Sequence, residues 1–336
     1  MQENLRFEEF VDQVIKNICK VFPDSVIEDD FKVIQIKQLN RQYNGLVLRN
    51  GKDRQGSHVV NLELLYNNYM RGISIEEIVE LAVKWFKQDD LKFEPEKFLD
   101  FNKFKKDLFV KVTNKEKNKE LLKKVPHTII KDLVLTYHVR VEAYDRKVCS
   151  HIISNQDMEY IGISKTDIHS AAMENGLDIF GYQFERLTEY TGRIFAEQMK
   201  GEGIPEDVVK EILKELLLKE QKDNASPYIL TNLLNINGAS TLFYPGIMER
   251  IAKELNSSYY IFPASVHEMV IVADATDMTI EYMQHMVKHI NQDEISPAEW
   301  LSDNVYHYDM KTKTFEFATE YIERKQVFEF PTEMDH

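Results

Sequence analysis

The sequence predicts an α+β protein with two packed regions, each a small, mainly antiparallel sheet covered by helices. Its 336 residues exceed one ordinary domain of about 100 to 200 residues. Its 43% hydrophobic and 29% charged residues are typical of a globular protein. Along the chain, strand patterns are interrupted by apolar residues at helical spacing, an order typical of α+β proteins and not of a parallel sheet.

The first region, residues 1–112, is expected to hold a small sheet covered by helices. A capping box of Ser74 and Glu77 predicts the start of one helix, and Gly72 is the expected end of the helix before it. Two Asn-Gly pairs are expected to form turns. The expected elements are a helix at 7–22, strands at 31–36 and 46–48, turns at 44–45 and 50–51, a helix at 62–70 and a helix from 74 onward.

The second region, residues 127–320, follows a Lys-rich connector at 113–126 and precedes a charged tail at 321–336. Its clearest strand, Asp132–Glu142, alternates apolar and polar residues, which predicts one buried face and one solvated face that carries His138. The further expected elements are a strand at 147–154, helices at 164–176 and after 205, strands at 228–231 and 240–244, a helix after 245, a hairpin of 259–262 and 267–273, a helix at 278–290 and a hairpin of 305–308 and 314–317.

The charge pattern favours a protein partner over nucleic acid. A net charge of −14 repels phosphate backbones, so nucleic-acid binding is disfavoured. Residues 102–124 nevertheless hold nine lysines and three acidic residues, a local charge of +6. This segment is interpreted either as a solvated helix face and linker, or as a docking patch for an acidic partner or an acidic face of the same protein. The candidate partner-binding residues are Lys103, Lys105, Lys106 and Lys111.

The sequence predicts a cytoplasmic protein without a membrane span. The N-terminus has neither the basic start nor the apolar segment of a signal peptide, and no apolar run reaches the about 18 residues that a span needs. The two cysteines, Cys19 and Cys149, lie far apart and form no CxxC motif, so neither a zinc ribbon nor a redox motif is expected. The sequence gives no indication of oligomeric state.

Ser265, His267 and Glu268 are the candidates for catalysis. The motifs GxxxxGKS/T, GxGxxG, GxSxG and HExxH do not occur in the sequence. On a strand, Ser265 and His267 would share a face, so the pair could act as nucleophile and base. Such chemistry also needs an orienting acid and an oxyanion donor, and the sequence assigns neither. The alternative is a turn serine and a histidine that hydrogen-bonds locally.

His285 and His289 are candidate metal ligands, because residues four apart lie on one helix face. They lie opposite the apolar residues of their helix and should face solvent, and no third ligand is evident nearby in sequence. We therefore expect no metal and no cofactor.

Two further patterns have both a chemical and a structural interpretation. The Asn/Gly loop at 232–238 could cradle a ligand through free backbone N–H groups, or it could be a long connection. The triplet Ser302-Asp303-Asn304 matches a β-lactamase motif, but the SxxK and KTG partners of that motif do not occur. We interpret the triplet as a chance match.

Several long segments carry a family resemblance. They are NGASTLFYPGIMERIAKELNSSYYIFPASVHEMVIVAD and LSDNVYHYD in the second half, and NLELLYNNY and NKEKNKELLKKVPH in the first. With them, nearly the whole chain resembles a domain-of-unknown-function family common in anaerobic gut bacteria of the clostridial type. More distantly, the order of elements is similar to the YtpQ-like uncharacterised family of Gram-positive bacteria. The resemblance implies a bacterial cytosolic protein, with a mobile element as one source, and it carries over no catalytic residue.

The leading functional hypothesis is a non-catalytic protein-binding or adaptor module. It depends on the missing catalytic motifs and on one basic segment in an acidic chain. The first alternative is a hydrolase-type enzyme that uses the Ser265/His267 region. The second is a mobile-element protein that acts with nucleic acid.

Overall fold

The computed structural model describes residues 5–22, 26–48, 59–87, 98–144, 147–202, 204–205, 208, 227–274 and 278–329. The chain divides into two compact units, unit 1 (Met1–Glu96) and unit 2 (Lys97–His336). Helices accompany three antiparallel sheets, which confirms the predicted α+β class. Unit 2 contains two of these sheets, where one was expected.

Unit 1 packs helices against one three-stranded sheet in the predicted order. Its elements are α1 (Phe7–Val21), β1 (Phe31–Gln38), β2 (Arg41–Leu48), β3 (Val59–Asn61), α2 (Leu62–Met70) and α3 (Ile75–Lys87). Phe10 of the amphipathic α1 is fully buried with Ile78 of α3, because the apolar stripes of both helices are removed from water. The capping box of α3 is confirmed, since the N–H groups of Ser74 and Glu77 donate to each other's side chains at 3.1 and 3.3 Å.

The turn between β1 and β2 lies at Leu39–Asn40 and not at the predicted Asn44-Gly45. Asn40 has a φ of 62°, the left-handed conformation that asparagine tolerates. Gly45 lies within β2, where a Cβ would overlap the side chains of Val59 and Ile36. Its role is therefore close packing of the sheet. The other predicted turn, at 50–51, lies outside the described residues.

Unit 2 contains a four-stranded sheet, a six-stranded sheet and the helices that pack on them. Its elements are α4 (Phe101–Phe104), β4 (Leu108–Asn114), α5 (Lys119–Leu122), β5 (His127–Ile130), β6 (Leu133–Tyr144), β7 (Lys147–Ile152), α6 (Asn155–Ile161), α7 (Lys165–Phe180), β8 (Gln183–Arg186), α8 (Leu187–Gly201), β9 (Tyr228–Thr231), a 3-10 helix (Gly238–Phe243), α9 (Ile247–Leu255), β10 (Tyr259–Phe262), β11 (Met269–Ala273), α10 (Ile280–Asp293), β12 (Tyr306–Asp309), β13 (Thr314–Phe317) and α11 (Ala318–Glu329).

The four-stranded sheet is organised around the long strand β6. Strand β4 pairs with one side of β6, and β5 and β7 pair with the other. Because β4 belongs to this sheet, the domain boundary expected at residue 112 falls inside a strand of unit 2. The expected connector at 113–126 contains the end of β4 and the short helix α5.

The six-stranded sheet has the order β13-β12-β10-β11-β9-β8, and apolar clusters cover both of its faces. Successive strand residues point to opposite faces. Ile261 of β10 accordingly joins a core with Tyr137 of β6 and Ile251 of α9, between the two sheets. Its neighbour Tyr260 joins a smaller core with Met283 of α10. The main core of unit 2 thus lies between its sheets, and α10 and α11 cover the other side.

Helix α7 continues through Asn175-Gly176 to Phe180, although the sequence predicted its end at that pair. Gly176 is buried against Tyr244, and a Cβ there would overlap the tyrosine ring. The glycine therefore permits a close approach of two elements and does not cap the helix. The predicted strand at 240–244 is also wrong, because this segment forms the 3-10 helix that follows Asn237 at a left-handed φ of 52°.

Helix α11 occupies most of the expected charged tail at 321–336. Its residue Tyr321 is only 4% exposed, so the chain here is docked on the six-stranded sheet. Residues 330–336 and most of the helix predicted after 205 lie outside the described residues. In the described part of the chain, no helix is both long and apolar enough for a membrane crossing.

Candidate functional site

The turn at 263–268, between β10 and β11, brings the candidate catalytic residues next to the 232–238 loop. Strand β11 begins at Met269, so Ser265 and His267 lie in this turn and not on a strand face as predicted. We call the polar residues that meet here, Asn237, Ser265, His267, Glu268 and Glu299, the His267 cluster.

Ser265 is buried, and its hydroxyl is bonded to Glu268 and not to the imidazole of His267. Ser265 Oγ donates to Glu268 Oε1 at 3.1 Å and accepts from the backbone N–H of His267 at 3.0 Å. A nucleophilic serine needs a base within hydrogen-bond reach and an orienting group behind that base. The contacts instead match the interpretation of a turn serine.

The imidazole of His267 is held by backbone on one side and faces a carboxylate on the other. Its Nδ1 accepts from the N–H of Asn237 at 3.2 Å, so the neutral ring carries its proton on Nε2. Nε2 lies 3.6 Å from Glu299 Oε1, and the His267 side chain is 30% exposed. The Nδ1 lone pair that could accept the serine proton is already occupied.

The loop at 232–238 uses its backbone N–H groups inside the protein. The N–H groups of residues 233–237 have as acceptors, in order, Phe180 O, Asn232 Oδ1, Asn232 O, Asn232 Oδ1 and His267 Nδ1. Since these donors are engaged, the arrangement favours a rigid connection over an anion cradle.

Gly238 explains why the loop and the turn fit closely together. A Cβ at this position would overlap Thr231 Oγ1 and the carbonyl oxygen of His267. Those two groups are themselves joined, because Thr231 Oγ1 donates to His267 O at 2.8 Å. The NGAST and PASVHE segments of the sequence therefore meet in one packed unit.

Ser302, Asn304 and Tyr306 converge on the carboxylate of Asp132, in the turn between β5 and β6. Ser302 Oγ and Asn304 Nδ2 donate to Oδ2 at 2.6 and 3.0 Å, and the Tyr306 hydroxyl donates to Oδ1 at 2.7 Å. Burial raises the pKa of Tyr306 well above its ordinary value, and the charge of Asp132 adds to this effect. We call these four residues the Asp132 cluster; it gives the Ser-Asp-Asn triplet a structural role.

The segment that carries this triplet is bonded to two further elements. Asn291 Nδ2 of α10 donates to Ser302 O at 2.9 Å and to Asp303 Oδ1 at 2.8 Å. Trp300 Nε1 donates to the same Asp303 oxygen at 2.9 Å, and Asn114 of β4 donates to Leu301 O at 3.0 Å. The segment thus joins both sheets of unit 2 to α10.

A buried histidine lies beneath α11, and the sequence analysis did not single it out. His307 is fully buried, and its ring stacks on Tyr321 with centroids 3.5 Å apart and meets the edge of Tyr260 at 5.0 Å. Tyr321 donates to Asp274 Oδ2 at 2.7 Å, and His307 Nε2 lies 3.6 Å from the same oxygen. Burial alone would raise the pKa of Asp274, but His307 and Tyr321 outweigh it and lower that pKa to about 2. We call Tyr260, Asp274, His307 and Tyr321 the His307 cluster.

Arg324 of α11 forms a second contact with the sheet, which we call the Arg324 clamp. Its Nη2 lies 2.7 Å from Asp309 Oδ2 and 2.6 Å from Glu316 Oε1, whose side chains are only 11% and 8% exposed. Burial would raise the pKa of Asp309, but the hydrogen bond from Arg324 and nearby backbone N–H groups lower it to about 2. The sequence feature that indicates both contacts is the spacing of His307 and Asp309. Residues two apart on a strand lie on the same face.

His138 is buried, where the sequence predicted a solvated strand face. Only 4% of the residue is exposed, and its Nε2 lies 3.0 Å from Thr136 Oγ1. Burial lowers the pKa of His138 well below its ordinary value, and the charge of Lys111 adds to this effect. The polar face of β6 is covered as well as its apolar face, and Val134 on that face packs with Leu122 and Val125.

The candidate partner-binding lysines separate into two groups. Lys103, Lys105 and Lys106 are exposed on α4 and the 3-10 turn that follows it. Lys111 is half-buried in β4, and its ammonium donates to Ser150 Oγ at 2.9 Å. We therefore define the lysine surface as Lys103, Lys105 and Lys106.

His285 and His289 are exposed on α10, as predicted. His289 Nδ1 lies 2.6 Å from Asp293 Oδ2, one turn further along the helix. Within the described ranges, no group of three or more His, Cys, Asp or Glu residues has the arrangement of a metal site.

These features define an α+β protein in which several clusters of buried polar side chains are bonded to one another. The chain matches a family of unknown function, DUF5688, over residues 7–310, and it belongs to that family. This match confirms the expected membership in a family of unknown function, whereas the clostridial-type source and the YtpQ-like similarity stay predictions. No curated protein and no solved structure matches the chain.

Proposed function

We propose that the chain is a cytoplasmic, non-catalytic protein-binding module of bacteria, whose lysine surface contacts an acidic partner protein. The proposal rests on three exposed lysines, Lys103, Lys105 and Lys106. They lie within a stretch of four residues, although the net charge of the chain is −14. Among the described residues, no carboxylate forms an ion pair with these three ammonium groups. Their charge is therefore available to a partner, and such contacts raise association rates more than they raise affinity.

The contacts of the His267 cluster favour this proposal over the hydrolase alternative. The Ser265 hydroxyl faces Glu268, and His267 presents an occupied nitrogen to its own loop. A fluorophosphonate probe tests the point, and we expect no labelling of the folded chain. Labelling that disappears in Ser265→Ala would refute the non-catalytic part of the proposal.

A charge-reversal experiment tests the lysine surface. The test variant carries Lys103, Lys105 and Lys106→Glu. The matched control carries Lys165, Lys253 and Lys288→Glu, which makes the same charge change at exposed positions elsewhere in unit 2. Tagged chains are incubated in native bacterial lysate, and the bound proteins are quantified by mass spectrometry.

We expect one acidic protein to be recovered in at least ten-fold larger amount with the wild type and with the control than with the test variant. Its purified complex should weaken with added salt, because exposed charges are screened. Equal recovery with all three chains would refute the lysine surface. Salt-sensitive retention on a polyanion column that only the test variant loses would instead support the nucleic-acid alternative.

A further inference from the structure

Helix α11 is docked on the six-stranded sheet by both apolar and polar contacts. Of its residues 318–326, only Ala318 and Tyr321 are buried. A helix of this length is marginal in water and usually depends on a broad apolar face against a core. Among residues 318–326 that face consists of Ala318, Tyr321 and the partly buried Ile322, and the hydrogen bonds of Tyr321 and Arg324 add to it.

The Arg324 clamp has the chemistry of a guanidinium-binding site. Two carboxylates that are almost fully buried, Asp309 and Glu316, converge on one guanidinium nitrogen. Without a cation, these carboxylates would lie close together in a poorly solvated place, which is costly. Arginine suits such a site better than lysine, because its planar fork donates in several directions at once.

The His307 cluster supplies a second site that is shaped for an aromatic ring with a hydroxyl group. The ring of Tyr321 lies on the His307 ring with an interplanar angle of 12°, and its hydroxyl reaches Asp274 at 2.7 Å. Neither ring nitrogen of the fully buried His307 has a hydrogen-bond partner among the described residues. The ring is therefore held by stacking on Tyr321 and by the nearby carboxylate of Asp274.

Tyr321 and Arg324 are three residues apart, so they lie on one face of a helix. We propose that this side of β10, β12 and β13 is a helix-binding groove and that α11 is its intramolecular occupant. A partner helix with a tyrosine and, three residues later, an arginine displaces α11 and fills the same two sites. This inference goes beyond the lysine surface and does not depend on it.

A peptide with the sequence of residues 318–329 tests the groove on the full-length chain. The labelled peptide is titrated with wild type, with Arg324→Glu and with the matched control Arg193→Glu, which breaks an ion pair of 2.6 Å outside α11. In Arg324→Glu the clamp repels the chain's own α11, so the groove is open to the peptide. We expect at least ten-fold tighter binding, by fluorescence anisotropy, to this variant than to wild type or control.

The same peptide with Tyr321→Ala or with Arg324→Glu should lose that binding. If the unmodified peptide binds the Arg324→Glu chain no better than wild type, while circular dichroism shows both folded, the groove is refuted. Hydrogen exchange on the wild type gives an independent measurement, because α11 amides should exchange at least ten-fold faster than those of β12. Equal protection of α11 and β12 would also refute the proposal. Dimers of the wild type that Arg324→Glu abolishes would identify a second copy as the occupant and exclude the partner helix.

Discussion

Asp132→Ala should strongly destabilise unit 2, because it removes the acceptor of three side-chain donors. The hydroxyls of Ser302 and Tyr306 are fully buried and would lose their only described acceptor, while Asn304 is half-buried. A buried donor without an acceptor costs about 1–3 kcal/mol. Two unpaired donors lower the free energy of unfolding, and part of this loss is offset because the variant has no carboxylate to desolvate. The net loss is about 3 kcal/mol in the free energy of unfolding.

Urea denaturation followed by tryptophan fluorescence measures this loss. The chain has two tryptophans, so a Trp85→Phe background leaves Trp300 as the single reporter. Trp300 bonds to Asp303, next to the Asp132 cluster, and therefore reports the segment under test. Asp132→Asn should cost less, about 1–2 kcal/mol, because it keeps the size and one acceptor oxygen.

The control is Asp178→Ala, an exposed aspartate on α7 for which less than about 0.5 kcal/mol is expected. If Asp132→Ala destabilises the Trp300 transition by no more than Asp178→Ala does, the cluster does not stabilise the unit. The structural explanation of the Ser-Asp-Asn triplet would then be wrong.

Three further predictions concern acid stability, loop packing and the link to α10. The pKa values of Asp274 and Asp309 are lowered to about 2, so the stabilisation that each carboxylate gives is present above pH ~4 and is lost as the pH falls towards 2. The expected loss is about 2 kcal/mol for each residue. Acid titration of the free energy of unfolding should show this fall, and a fall of the same size in Asp274→Asn would contradict the prediction. Gly238→Ala should lower the melting temperature, because the added Cβ overlaps the Thr231 hydroxyl and the His267 carbonyl oxygen. Gly201→Ala should not lower it, because a Cβ there meets nothing within 4 Å. Equal melting temperatures of the two variants would refute the packing argument. Asn291→Ala should cost about 1–3 kcal/mol and shift the emission of Trp300, because a buried amide bonds the same segment; unchanged emission and stability would exclude this link.

Elements with strong local patterns were predictable from the sequence. The capping box at Ser74, the helix start at Ser164, the strand β6 and the final hairpin all lie where they were expected. In these segments local propensity and the tertiary environment favour the same structure. The order of helices and strands in unit 1 was predictable for the same reason.

Glycine positions misled the prediction where tertiary packing decided them. Gly45 and Gly176 were expected at a turn and at a helix end, but each lies inside an element that another side chain approaches closely. A sequence pattern does not distinguish a glycine needed for its φ from one needed for its missing Cβ.

The candidate catalytic pair depended on a strand boundary. A start of β11 two residues later than predicted removes Ser265 and His267 from a common face. Strand boundaries are the least predictable feature of a sequence, so a site that depends on one is equally uncertain. Helix α11 was missed for a different reason: its segment is rich in charged residues, and the partners of its ion pairs lie on strands earlier in the chain.

The ribosome releases Asp132 well before it releases the residues that bind it. Ser302, Asn304 and Tyr306 follow it by 170, 172 and 174 residues. At synthesis rates of about 5–20 residues per second, this interval lasts roughly 10–30 s. During it, the four-stranded sheet can assemble with a hydrated carboxylate at one turn, but the second sheet still lacks β12 and β13. Nascent chains that stall before residue 302 should therefore be recognised by chaperones and proteases, and completion of β12 is the step that releases them.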